Sequence, residues 1–164
     1  VLPLRPELLT KRIVRVSARP KAVRFDPVEH TTSLRIDRLA LVPVTERFGL
    51  GVIAFCPLAQ GLLTGKYLQG IPEDSRAKST GGFLRAHDVT EEKVAKVRKL
   101  NELAQQRGQT LAQMALAWTL RLPAVTTALI GASRPEQIRE NVAALKNPGF
   151  SEAELQKIDA ILKG

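Results

Sequence analysis

The feature that most constrains the fold of this chain is an alternation, without an internal sequence repeat, of short apolar, β-branched runs, loops with glycine or proline, and capped amphipathic helices. Gly51 to Phe55 (GVIAF), bounded by Gly49 and Pro57, predicts one buried strand, and Val125 to Ile130 (VTTALI), running into Gly131, predicts a second. Continuous apolar strands that alternate with helices imply a parallel sheet covered on its faces by those helices.

The helices carry their own start and stop signals. After a long loop rich in Gly, Pro and Ser from Pro57 to about Asp88, Thr90 is placed to cap a helix that opens with Glu91 and Glu92, where negative charge suits the helix dipole. Val94, Val97, Leu100 and Ala104 form its apolar stripe, and Gly108 stops it. Thr110 and Gln113 spell a capping box for a helix striped by Leu111, Met114, Ala115 and Trp118 and ended by Pro123. Ser133 and Glu136 spell another, with Pro135 early in a helix that runs to about Lys146, before the turn Asn147-Pro148-Gly149. Ser151 and Glu154 repeat the signal for a terminal helix through Lys163.

Composition narrows the function classes. Hydrophobic residues make up 44% and charged residues 25% of the 164, a globular balance, and no stretch approaches the roughly 18 apolar residues of a membrane span. A single cysteine, Cys56, excludes an internal disulfide and a cysteine-rich zinc cluster, and no metal-ligand spacing of His and Cys occurs. With no secretory signal at its start, the chain is expected in a reducing cytoplasm. The net charge of +9 raises nucleic acid as a partner. The charge is spread, however: ten Lys/Arg against five Asp/Glu lie in residues 1–48, and fifteen against eleven in residues 49–164. No basic run is interleaved with aromatics for stacking on bases, so most of this charge reads as solvated surface.

Two loops carry chemistry. In Pro57-Leu58-Ala59-Gln60-Gly61-Leu62-Leu63-Thr64-Gly65-Lys66-Tyr67, small residues allow close backbone approach, successive N–H groups can cradle phosphate oxygens, and Lys66 adds a positive charge. The same glycines also suit tight turns around an ordinary surface lysine. Gly131-Ala132-Ser133-Arg134 leads into a helix N-terminus, a natural anion site, with Gln137, Glu140 and Asn141 on one helical face. There, too, Ser133 can be a plain cap and Arg134 a solvated side chain. Both loops follow the C-terminal ends of strands, where barrel enzymes place phosphate-binding groups.

These stretches resemble the aldo/keto reductase family. The run IAF-x-PLAQGLLTGKY is similar to the loop after the seventh barrel strand, and LIGASRPEQIRENV to the eighth strand and its helix; GIPEDSR and the LAQMALAW helix match as well. The flavour is that of bacterial members related to potassium-channel β-subunits and to L-glyceraldehyde 3-phosphate reductases. The resemblance implies an α/β fold, the C-terminal part of a (β/α)8 TIM barrel that is incomplete in this chain, since such a barrel needs about 250 residues. It also implies an NADP(H) cofactor. Pro57, Leu58, Ala59, Gln60, Lys66 and Arg76 are assigned to the pyrophosphate, and Gly131, Ser133, Arg134, Gln137, Glu140 and Asn141 to the adenosine and its 2′-phosphate. Cys56 stands where the family often has Ser or Thr.

The family's catalytic Tyr, Asp, Lys and His come from early strands, and no matching set is found here. Tyr67, the only tyrosine, belongs to the GKY run, and His30 and His87 lack the catalytic context. Upstream of Phe48 the pattern fades, so residues 1–47 read as a diverged segment and residues 48–164 as the cofactor-binding half. Val28 to Leu34 is faintly similar to the sixth-strand pattern, with Glu29 and Thr32 in place of its Gln and Tyr; a short strand is expected around Ile13 to Val16; Leu41 to Thr45 recovers the helix before the seventh strand. Residues 1–27 read as misframed, truncated or strongly diverged, and the chain as a fragment. The expected parent activity is NADPH-dependent reduction of an aldehyde or ketone, with this chain inactive alone. The alternative is a non-catalytic NADP(H)-binding or partner-pairing half-barrel that self-associates through exposed edges.

Overall fold

In a computed structural model, residues 42–73, 75, 77, 78 and 84–163 are described. The expected strand at Ile13 to Val16, the sixth-strand-like Val28 to Leu34, His30 and Arg76 lie outside them. The chain runs α1 (Val42–Arg47), β1 (Val52–Phe55), two 3-10 helices (Ala59–Thr64 and Ala86–Asp88), α2 (Glu91–Gln106), α3 (Leu111–Leu120), β2 (Val125–Leu129), α4 (Pro135–Val142) and α5 (Glu152–Lys163), with a 3-10 turn (Ala143–Lys146) continuing α4.

Capping signals place the helix starts. The Thr90 hydroxyl accepts from the Lys93 N–H at 3.3 Å. At α3 the box is reciprocal: Thr110 N–H donates to Gln113 Oε1 at 3.0 Å and Gln113 N–H to Thr110 Oγ1 at 3.3 Å. Ser151 and Glu154 do the same before α5. The box expected from Ser133 and Glu136 does not form. Pro135 occupies the first helical position, and the restriction it places on its predecessor holds Arg134 extended (φ −141°, ψ 146°) as the cap residue, without a side-chain cap. Ser133 pairs with Gln137 instead, and Glu136 faces Arg139 at 3.6 Å.

The striped helices bury their predicted faces. Val97, Leu100, Leu103 and Ala104 of α2 pack with Leu111, Met114 and Trp118 of α3 and with Ile158 and Leu162 of α5, and Leu62, Leu63 and Tyr67 close the same core from the loop after β1. Burial of this apolar surface is the main term holding the helical layer together.

The two strands pair in parallel, Val52 beside Val125, Ala54 beside Ala128 and Phe55 beside Leu129. They are not buried as expected. Ile53, Phe55 and Leu129 are 52%, 63% and 54% exposed, while Ala54 is buried. A parallel strand is fully buried only between flanking strands and under helices on both faces; among the described residues each strand has one neighbour.

One charge departs from the solvated-surface reading. The Arg107 side chain, 3% exposed, follows α2 and reaches across to the segment before α5. Its guanidinium donates to Glu154 Oε1 at 2.6 Å, to the carbonyls of Gly149 at 2.7 Å and Asn147 at 3.2 Å, and to Gln109 Oε1 at 2.9 Å. It also lies 3.9 Å from the centroid of the Phe150 ring. A buried guanidinium is tolerable only when its donors are satisfied in this way.

Glu154 is held below the ordinary carboxylate range, first by the Ser151 backbone N–H and then by the Ser151 hydroxyl and Arg107, against the opposing effect of burial. A carboxylate whose pKa is depressed by folding stabilises the native state above its unfolded pKa and loses that contribution as pH falls through its folded pKa. Glu154→Gln is therefore expected to be about 1 kcal/mol less stable than the parent at pH 7, with the gap closing as the solution is acidified through and below the usual glutamate range. Urea denaturation across pH 7 to pH 3 measures this; a gap independent of pH would contradict it.

Candidate functional site

The parallel register fixes where the two candidate loops begin. Phe55 and Leu129 are partners at the ends of their strands, so Cys56 and Ile130 leave the sheet side by side from the same edge. The register has one irregularity, between Val52 and Ile53, where Thr126 is the extra residue on β2. Gly51 makes room for it. A Cβ at Gly51 would stand 2.3 Å from Thr126 Oγ1 and 3.3 Å from its Cβ.

In the first loop the backbone is bent in an unusual way. Cys56, Ala59 and Gln60 have φ of 54°, 46° and 57°, three non-glycine residues in the left-handed region within five positions. Such conformations cost of order 1–3 kcal/mol each and cluster at ligand clamps. The bend is held by Ala59 N–H to the Cys56 carbonyl at 3.0 Å, Gly61 N–H to the Leu58 carbonyl at 2.9 Å and the Thr64 hydroxyl to the Gly61 carbonyl at 2.6 Å. It is anchored from below, because Leu62, Leu63 and Tyr67 are core residues. Pro57 is buried, and together with Leu63, Leu100, Trp118 and Leu162 it lines an apolar cavity of about 40 Å³. Ala59 is buried, Leu58 and Gln60 are half-buried, and Lys66 is exposed.

The second loop is open. Gly131, Ser133, Arg134 and Glu140 are exposed, and Gln137 and Asn141 are half-buried. A Cβ at Gly131 would meet nothing within 4 Å, so the space around that backbone is free for a ligand. Ser133 directs both its N–H and its hydroxyl onto a single acceptor, Gln137 Oε1, at 2.8 and 3.3 Å. Two donors converging on one oxygen beside the N-terminus of α4 is the arrangement an anionic oxygen requires.

The strand register brings the starts of the two loops singled out in the sequence to the same end of the sheet. Sequence reasoning did not identify the left-handed backbone at Cys56, Ala59 and Gln60, because none of these residue types signals it. It also missed a link between helices, from Gln113 Nε2 of α3 to the Glu140 carbonyl of α4 at 3.0 Å. Tyr67 ends the first loop 1% exposed in the core, and His87 is exposed and 3.5 Å from the Asp88 carboxylate. Among the described residues no group of His, Cys, Asp and Glu could hold a metal, and no helix is long and apolar enough to cross a membrane.

The profile of the aldo/keto reductase family matches residues 11–163. The L-glyceraldehyde 3-phosphate reductases of two Escherichia coli strains are each 54% identical over 127 residues, a match covering 76% of this chain and 37% of the relative. A putative voltage-gated potassium channel subunit beta of Schizosaccharomyces pombe is 44% identical over 126 residues, covering 74% and 37%. A solved thermostable aldo-keto reductase, in complex with the inhibitor epalrestat, superposes with a TM-score of 0.51 at 25% identity, over 77% of this chain and 35% of that one. The chain therefore spans 37% of the length of the curated relatives it matches, and the α/β body of the described residues corresponds to part of a barrel.

If the Thr126 bulge sets the register, filling Gly51 should disturb it. Gly51→Ala is expected to lose about 1–3 kcal/mol by overpacking, and adding Thr126→Ala should recover more than half of that. Thermal melts of the single and double variants decide this; additive losses would contradict the contact.

Proposed function

Because the chain belongs to the aldo/keto reductase family, we propose that it supplies the NADP(H)-binding half of an oxidoreductase that reduces an aldehyde or ketone to an alcohol. The observation that carries this reading is the parallel register of β1 and β2, which sets the two phosphate-competent loops side by side. In the proposal the bent backbone from Pro57 to Gln60, with Lys66 and Arg76, receives the pyrophosphate. Gly131, Ser133, Arg134, Gln137, Glu140 and Asn141 receive the adenosine and its 2′-phosphate.

The residues present fit such a group. The strained turn at Ala59 and Gln60 is pre-formed on a buried platform, so little ordering accompanies binding. At the second loop, a phosphate oxygen can take the place that Gln137 Oε1 holds between the two Ser133 donors, with the exposed Arg134 fork adjacent. The bound nicotinamide would supply a hydride. Tyr67 is enclosed in the core and is not available to protonate a carbonyl, so the proton donor belongs to a part of the site outside this half. Residues 48–164 form the cofactor half in this reading, and the chain acts in the cytoplasm.

A second reading is favoured by one observation. Ile53, Phe55 and Leu129 on the sheet, Val44 in α1 and Phe48 just after it are large apolar side chains left exposed. A non-catalytic half-barrel that self-associates or pairs with another chain through these groups would cover them.

Fluorescence titration of the purified chain is expected to show saturable but weak binding, tighter for NADPH than for NADH. Arg134→Ala should weaken NADPH about tenfold, the loss of one charge-assisted contact, and leave NADH nearly unchanged. A preference for NADH would refute the 2′-phosphate assignment. With a reactive aldehyde the chain alone should give no turnover; a rate within about tenfold of a complete reductase would refute the half-site reading. In sedimentation, a stable monomer would argue against the pairing alternative.

A further inference from the structure

We propose that Gln113 is a positioning residue for the cofactor-facing side of α4, acting through its hydrogen bond to the Glu140 carbonyl. The inference rests on the cofactor reading above. Gln113 sits in the first turn of α3, and its carboxamide has two partners. Oε1 accepts from the Thr110 N–H at 3.0 Å, which completes the capping box, and Nε2 donates to the Glu140 carbonyl at 3.0 Å, 27 residues away. The amide cannot turn over without breaking both bonds, since an N–H would then face an N–H and an oxygen would face a carbonyl.

The bond matters because α4 has no fully buried side chain of its own to fix its angle. No residue of α4 is fully buried, and Ile138 and Val142 are 51% and 56% exposed. Within α4 itself apolar packing, which orients α2, α3 and α5, is therefore weak, and the buried anchor nearest to it is Ala144 in the 3-10 turn that continues it. The chain beyond α4 is tied down by the same turn, through Gln109 Nε2 to the Asn147 carbonyl at 3.1 Å and Arg107 to the Gly149 carbonyl at 2.7 Å. Gln113 is the link nearest the site: Glu140 and Asn141 are assigned to the cofactor, and Gln137 lies one turn earlier on the same face. The Gln113 side chain itself is assigned no contact with the ligand.

Three variants separate positioning from capping and from charge. Gln113→Met removes the donor without adding a charge. Gln113→Glu removes the donor but keeps the capping acceptor. Thr110→Ala removes the capping hydroxyl and leaves the donor in place. Melting temperatures and NADPH titrations of the full chain, taken well below each melting point, are the readouts. Both Gln113 variants are expected to bind NADPH about three- to tenfold more weakly, the range of one ordinary hydrogen bond, with Gln113→Glu melting near the parent. Thr110→Ala is expected to melt lower yet bind within about twofold of the parent, since its loss is confined to the helix start. Parent-like affinity in Gln113→Met, or an equal loss of affinity in Thr110→Ala, would overturn the inference while leaving the cofactor reading intact. Absence of saturable NADPH binding by the parent chain would overturn both.

Discussion

The parallel pairing of β1 with β2 is the constraint on which the rest depends. Parallel strands need a long crossover between them, and here that crossover holds α2 and α3, whose apolar stripes meet α5 and the loop after β1. The pairing sends Cys56 and Ile130 off the same sheet edge. Its one irregularity is a local exchange, a glycine without a side chain at Gly51 beside a bulged threonine at Thr126. Were the strands to slip by one residue, the two loops would no longer start level and the strands would turn their opposite faces to the helices.

The helical layer adds a second level of positioning, and it is polar. The turn between α2 and α3 supplies Arg107 and Gln109 and the first turn of α3 supplies Gln113, and each donates to a backbone carbonyl in the segment from Glu140 to Gly149. Arg107 is buried, so its donors must be met, and besides Glu154 and Gln109 the acceptors that meet them are the Asn147 and Gly149 carbonyls on the path from α4 to α5. Apolar packing decides that the helices associate. These bonds tie the segment from α4 to α5 to the start of α3 and the turn before it.

Much of this was legible in the sequence, for reasons that can be stated residue by residue. The Thr110–Gln113 and Ser151–Glu154 boxes formed because both partners are local and nothing competes with them. The Ser133–Glu136 box did not, because Pro135 shifted the helix start by one residue and left Ser133 to Gln137. Strand burial was misjudged at Ile53, Phe55 and Leu129, since an apolar run reports what a strand would bury in a full sheet and not what covers it. Arg107 and the Gln113–Glu140 link were illegible because their partners lie 27 to 47 residues away. The bend at Cys56, Ala59 and Gln60 was illegible because only glycine advertises left-handed backbone.

The central claim is that the loop from Pro57 to Lys66 and the loop from Gly131 to Asn141 form one ligand site. Backbone amide chemical shifts followed by NMR during NADPH titration test it most directly. The account predicts that amides of both loops shift together with a single dissociation constant, while those of α2 and α5 stay in place. Shifts confined to one loop, or spread over α2 and α5 with both loops unmoved, would contradict it.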